Sequence, residues 1–422
     1  MTAGATADRL GGLLRPVLGG MPIRLRAWDG SEHGPEDAPV LVIRDRQALR
    51  RLLWQPNQLG LARAWVAGEI DVEGDLFDFL LRIAAVVWRV GDKGERINPV
   101  RLVREAWSLG IVGRQPSPPP EEITISGRRH SRGRDADAIG HHYDVGNDFY
   151  RIVLGPSLVY SCAYWRTEES TLEDAQRDKL DLICRKLGLR EGQRLLEVGC
   201  GWGSLAIHAA REYGVEVVGI TISPEQAELA RKRVAEAGLT DRVEIRLQDY
   251  REVSDGPFDA ISSVGMGEHV GTSTYAEYAA ILFRQLKAGG TLLNHQIGAR
   301  DPSAAASGDG PSFINRYVFP DGELVPLATT VTLVEEAGFE IRDVEALRPH
   351  YALTLREWVR NLEARWDEAA GLAGVGRARV WRLYMAACAL AFETDRLGVN
   401  QILAVKPHAD GRNPLPMTRT WL

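Results

Sequence analysis

The stretch RLLEVGCGWG, Arg194 to Gly203, decides how this chain is read. Arg194–Val198 is a short apolar run of strand type. Gly199, Gly201 and Gly203 follow at alternate positions, and LAIHAAREYG behind them has helical spacing. A strand that runs through three glycines into a helix forms a main-chain cradle. Without Cβ atoms the backbone can approach a ligand closely, and the helix start offers unpaired N–H groups. The spacing is not the G-x-G-x-x-G of a dinucleotide fingerprint. A nucleoside ligand held without a pyrophosphate grip is therefore the leading reading, against another nucleotide fold or a purely structural glycine turn.

The flanks extend the pattern. Strands are expected at Arg194–Val198, Val215–Ile220, Val243–Leu247, Phe258–Val264 and Gly290–Ile297. Helices are expected at Ser204–Tyr213, Pro224–Ala237 and Thr274–Leu286, with helical additions at Thr171–Lys186, Leu355–Ala370 and Ala378–Asp395. Strands separated by helices imply an α/β fold, a doubly wound, mostly parallel sheet covered on both faces. The glycine loop then lies at the carboxyl end of the first strand, where such sheets bind ligands.

Composition narrows the class. The chain has 422 residues, 45% of them apolar and 26% charged, with a net charge of −6. No global basic field draws it to nucleic acid. Cys162, Cys184, Cys200 and Cys388 show neither metal spacing nor the density of a secreted scaffold, which suits a reducing cytoplasmic compartment. The first 20 residues do not read as a signal peptide, and no run reaches the ~18 apolar residues of a spanning helix. Contact with a membrane would be peripheral, from its inner face.

Four regions follow. Residues 1–110 read as a smaller α+β domain. MPIRLRAWDG and APVLVIRD form strands, and Arg46–Trp54, Leu59–Ala67 and Leu76–Trp88 form helices. Residues 111–137 are rich in Pro, Gly and Arg and read as a linker. Its cluster GRRHSRGR, 127–134, is either solvated or a contact for anionic headgroups. Residues 138–407 form the catalytic domain, and 408–422 a tail.

Polar groups at the strand ends carry the chemistry. After VEVVGI, Thr221 and Gln226 can meet ribose hydroxyls, while Ser223 and Pro224 read as N-cap and first helical residue. Gln248 and Tyr250 follow the third strand, and Tyr250 can flank an adenine. SVGMGEHVG puts Glu268 and His269 at the end of the fourth strand, LLNHQIG puts His295 on the next, and YSCAYW holds Cys162. Tyr351 in RPHYALTL precedes a helix. His141-His142 and Glu268-His269 are adjacent pairs that do not converge as zinc ligands do, so no metal is expected. Cys200 and Cys388 read as packing.

The E-x-G-x-G-x-G form resembles motif I of class I methyltransferases, which bind S-adenosylmethionine. HHYDVGNDFY (141–150), YSCAYW, LLEVGCGWG, GITIS with Gln226, LQDY, GMGEHVG, LLNHQIG, NRYVFPDGEL and PHYALTL, taken in order, closely resemble the cyclopropane-fatty-acid synthase family, mycolic acid cyclopropane synthases included. LGLARAWVAGEIDVEGDLFDFL resembles the N-terminal domain of its phospholipid-acting members. The wording is most similar to an actinobacterial branch associated with mid-chain methylene- and methyl-branched fatty acids.

The resemblance implies that S-adenosylmethionine lies along Tyr160, Ser161, Glu197, Gly199, Gly201, Gly203, Thr221, Gln226, Gln248 and Tyr250. It implies a bicarbonate ion held by Cys162, Glu268, His295 and Tyr351, with backbone near Ile297, as proton acceptor. The expected reaction transfers one carbon to the cis double bond of an unsaturated phospholipid acyl chain. Deprotonation of the resulting cation gives a cyclopropane or a methylene. Reduction of a methylene would need a partner reductase, and a homo-oligomer is also admitted. Where the family wording has Phe, this chain has Gly267, which leaves the product open. The rivals are an ordinary O- or N-methyltransferase of small molecules and a lipid-binding scaffold with a vestigial cofactor pocket.

Overall fold

A computed structural model describes residues 5–18, 20–90, 99–123, 134, 145–300 and 312–421. His141, His142 and most of the basic cluster lie outside these residues. The chain divides into two compact units. One comprises residues 1–123 with 311–318 and 374–390, and the other residues 124–310 with 319–373 and 391–422.

The first unit is built on four short strands: β1 (Arg24–Arg26), β2 (Glu32–His33), β3 (Val40–Ile43) and β4 (Ile70–Glu73), in the order β2-β1-β3-β4. Helices Arg46–Trp54 and Gln58–Val66 start where the side chains of Asp45 and Asn57 cap them. The unit takes in two distant segments. The Trp65 indole donates to the carbonyl of Arg379 at 2.8 Å, the Arg379 guanidinium donates to the carbonyl of Trp65 at 2.6 Å, and that guanidinium lies 4.4 Å from the Trp65 ring centre. The Tyr317 hydroxyl donates to Glu122 at 3.1 Å, and Glu122 also accepts from Arg63.

The second unit holds a seven-stranded sheet: β5 (Arg194–Val198), β6 (Glu216–Thr221), β7 (Val243–Leu247), β8 (Phe258–Val264), β9 (Leu286–Ala299), β10 (Glu340–Ala346) and β11 (Leu397–Val405), in the order β10-β11-β9-β8-β5-β6-β7. β5 to β9 pair in parallel, while β11 runs antiparallel between β9 and β10. Strands buried on both faces read as continuous apolar runs, and alternate residues serve opposite cores. Leu195 and Val217 pack with Ala206, Ala209 and Ile183, while Leu196, Val198, Val218 and Ile220 pack with Phe258, Ile261 and Tyr278.

The five expected strands are present within a few residues of their expected ends. β10 and β11 were not anticipated, because Asn400 and Gln401 break the apolar run of VNQILAV. Tyr351 does not precede its helix. It sits in the first turn of Arg348–Ala364, where Pro349 fits because its missing N–H would be unpaired there anyway. The expected helix Leu355–Ala370 is thus two, the second being Trp366–Ala373.

Candidate active site

The cradle forms at the carboxyl end of β5. Gly199, Gly201 and Gly203 take φ of 76°, 52° and 77°, left-handed values that favour glycine. A Cβ on Gly199 would lie 2.9 Å from Cγ of Met266, and one on Gly201 would have nothing within 4 Å and would stand in open space. The loop is stitched in place by Arg233, which donates to the carbonyls of Trp202 at 2.6 Å and Ser157 at 3.1 Å. The Trp202 indole in turn donates to Asn147 at 2.8 Å.

This loop is the floor of a cleft of about 180 Å³. Tyr160, Ser161, Glu197, Gly199, Gly201, Thr221, Gln226, Gln248 and Tyr250 all line it, while Gly203 lies outside the lining. Ser223 is the N-cap expected, accepting from the Gln226 N–H at 3.3 Å. The Thr221 hydroxyl donates to Oε1 of Gln226 at 2.7 Å, which commits that oxygen and leaves the amide NH2 for a ligand. Tyr250 packs edge-on against Tyr278 with ring centres 4.9 Å apart.

Cys162, Glu268, His295 and Tyr351 are absent from the cleft lining and are tied instead to the neighbouring ends of β9 and β11. Oε1 of Glu268 accepts from the Ile297 N–H at 2.8 Å. Nδ1 of His295 accepts from the Gln401 amide at 3.2 Å, which leaves the ring proton on Nε2. The carbonyl of Leu347 accepts from the Cys162 thiol at 3.7 Å and from the Tyr351 N–H at 3.2 Å, and the Leu347 N–H donates to Val399 of β11 at 2.8 Å. In the β9–β11 register Ile297 faces Val399 and His295 faces Gln401.

Two polar atoms in this group, Oε2 of Glu268 and Nε2 of His295, are buried without a partner. Such atoms are costly to leave unsatisfied, and they suit a small polar ligand. Burial raises the Glu268 carboxyl to about 7 and lowers the His295 imidazole to about 3. Burial also holds the Cys162 thiol in its neutral form, as a weak donor.

His269, which the sequence places at the end of the fourth strand without a role, and Lys179, which sequence reasoning missed, also line the cleft. His269 packs its ring against Phe319, centres 5.7 Å apart, and burial lowers its imidazole to about 4. Lys179, only 2% exposed, donates from Nζ to the Ser161 hydroxyl at 2.8 Å. Its signal was present. Leu172, Ala175, Gln176, Lys179, Ile183 and Lys186 lie on the buried face of helix Leu172–Leu187, so three polar side chains sit where apolar ones belong. Arg134, the last residue of the basic cluster, forms a two-pronged ion pair with Asp321 at 2.6 and 2.7 Å. Tyr164 stacks on His350, and the Trp165 indole donates to Thr354 at 3.1 Å, so both are engaged in packing.

A mostly parallel seven-stranded sheet with a glycine cradle and a ribose-type polar pair at its carboxyl edge is the class I methyltransferase fold. The chain is an S-adenosylmethionine-dependent methyltransferase. Residues 130–402 match the family described as Mycolic acid cyclopropane synthetase, and this chain belongs to that family. A probable fatty acid methyltransferase of Pseudomonas putida is 43% identical over 403 residues, covering 94% of this chain and 95% of that one. A probable fatty acid methyltransferase of Mycobacterium tuberculosis is 42% identical over 417 residues, covering 96% of each. The crystal structure of mycolic acid cyclopropane synthase CmaA1 complexed with SAH and CTAB superposes with a TM-score of 0.61 at 34% identity, over 64% of this chain and 98% of that one.

Proposed function

We propose that the enzyme transfers one carbon to the double bond of an unsaturated fatty acyl chain of a phospholipid. The observation that carries the proposal is the pair of unpartnered buried atoms on Glu268 and His295, tied to strands that end beside the donor cleft. When bound, S-adenosylmethionine supplies an electrophilic methyl group and bicarbonate a small base. Gly199 and Gly201 would seat the donor, Gln226 would hold its ribose and Tyr250 its adenine. Fixing the methyl group against so weak a nucleophile as an alkene is the main contribution of this half of the site.

Cys162, Glu268, His295 and Tyr351 would hold the anion. The neutral Nε2–H of His295 is a donor, the Cys162 thiol becomes one when its proton turns from the carbonyl of Leu347, and the high pKa of Glu268 lets it share a proton with an anion rather than repel it. The apolar packing around these groups would keep water from the cationic chain. Loss of a proton from the new methyl group closes a cyclopropane, and loss after a hydride shift leaves a methylene. The end-to-end likeness to proteins named fatty acid methyltransferases favours the branched product, which a partner reductase would then saturate.

The first unit is proposed to seat the enzyme on the cytoplasmic face of a membrane. Among the described residues no helix is long and apolar enough to cross one. Trp54 and Trp107 are 55% and 72% exposed, a residue type suited to the bilayer interface.

Mass spectrometry of lipids from cells expressing the chain tests the reaction. A gain of one CH2 per acyl chain is expected, and ozonolysis separates ring from methylene. Full activity on a small O- or N-acceptor after Cys162→Ala or Glu268→Ala would support the small-molecule rival. Absence of S-adenosylmethionine binding by calorimetry would support the scaffold.

A further inference from the structure

Lys179 lies almost wholly buried on the wall of the donor cleft, yet among the described residues it makes no ion pair. Its hydrogen bond goes to Ser161, which is itself only 9% exposed. A buried ammonium without a carboxylate partner is costly to keep. Glu197, the carboxylate in Coulombic reach, forms no bond to it, and Oε2 of Glu197 is buried without a partner. The cleft lining thus holds a buried amine and a buried carboxyl, Lys179 and Glu197, that leave each other unpaired.

The hydrogen bond between Lys179 and Ser161 has only one direction. An ammonium has no acceptor, so Oγ of Ser161 accepts and its own proton is left to donate. Gln176 fixes the loop that carries this hydroxyl, donating to the carbonyls of Val159 at 3.3 Å and Ser161 at 3.0 Å. Both Ser161 and Lys179 line the cleft.

We propose that Lys179, acting through the Ser161 hydroxyl, is the positioning residue that selects the carboxylate of the donor's amino-acid end. Its ammonium suits the carboxylate of a zwitterion, and the unpartnered Oε2 of Glu197 offers an acceptor for the zwitterion's ammonium. Lys179 thereby sets how deeply the donor sits, and so where its methyl group points. The inference rests on the donor being S-adenosylmethionine.

Calorimetry without lipid tests it, using S-adenosylmethionine and its decarboxylated analogue, which keeps the sulfonium and the ammonium. The parent chain should bind the full donor roughly ten- to a hundred-fold more tightly, the range of a charge-assisted hydrogen bond. Lys179→Met and Ser161→Ala should erase that preference and leave the analogue's affinity within about threefold, since removing one hydrogen bond leaves the remaining contacts in place. A parent chain that binds both ligands equally overturns the proposal. So does a Lys179→Met chain that weakens both alike, because Lys179 would then serve only to balance Glu197. Equal binding by the parent chain overturns the proposal even where a variant fails to fold, and where Lys179→Met does not fold, Ser161→Ala carries the variant test. A parent chain that binds neither ligand fails the donor reading itself and takes this inference with it.

Discussion

Gly267 lacks a side chain where Gln296 already fills the space. A Cβ at Gly267 would lie 2.6 Å from Cδ and 3.1 Å from Nε2 of Gln296. Gln296 cannot easily withdraw. Its Oε1 accepts from the Tyr275 hydroxyl at 2.5 Å and from Asn294 at 3.0 Å, and its Nε2 donates to Thr330 at 2.9 Å. A buried polar network thus holds the space beside Gly267. Gly267→Ala should destabilise the protein by about 1–3 kcal/mol, the usual effect of overpacking. Adding Gln296→Ala should recover part of that loss, and urea unfolding of both single variants and the double variant measures the coupling.

Titration of Glu268 gives a second prediction. Burial raises the carboxyls of Glu268 to about 7 and Glu197 to about 8. Each then favours the folded state most below its unfolded value near 4.5, and loses that contribution as pH climbs through the raised value. His269 and His295 are lowered, so their contributions are complete above about 6.5 and do not blur that window. Between about pH 6.5 and about pH 8, Glu268→Gln should therefore lose less melting temperature than the parent. The pH profile of kcat/KM should show a basic limb near 7, a fall as Glu268 ionises and repels the anion, that the same variant lacks.

The amide of Gln401 sets the tautomer of His295 from the adjacent strand. Gln401→Leu frees Nδ1 to take the ring proton. Turnover should drop on the order of tenfold, the worth of one such bond. The Kd for S-adenosylmethionine should stay unchanged, and a rise in that Kd would mean that the bond supports the donor cleft instead.

Arg379 joins the first unit by donating to the carbonyls of Trp65 and Ile70 and to Asp71, the last at 3.2 Å. Arg379→Ala strips several buried acceptors at once and should destabilise by about 2–4 kcal/mol. A chain starting near Gly140 would leave residues 311–318 and 374–390 without the rest of their unit. It should be recovered mainly as aggregate, as comparing soluble with total protein would reveal.

The sheet was legible because its local signals agree with its global arrangement. Arg194–Val198, Ser204–Tyr213 and the Ser223 cap are written in neighbouring residues. What escaped was set from afar. The antiparallel β11 hides behind Asn400 and Gln401, whose polarity makes sense only beside His295. Lys179 looked like a charge on a helix until the stripe around it proved buried. Most of the expected donor residues meet in one cleft, but Cys162, Glu268, His295 and Tyr351 come together only through the pairing of β9 with β11. No sequence periodicity could reveal that residues 374–390 complete a unit begun before residue 123.

That shared ownership bears on how the protein is born. The first unit cannot finish on the ribosome when residue 123 emerges, because its segments 311–318 and 374–390 are still to be translated. At about 5–20 residues per second, the chain around Trp65 waits roughly 16 to 63 s for Arg379, while the long intervening segment is made and begins to fold. An apolar surface held open for that interval is what chaperones bind. Residues 1–123 cannot be transplanted to another enzyme as a cassette, so the two units must be inherited, mutated and engineered as one.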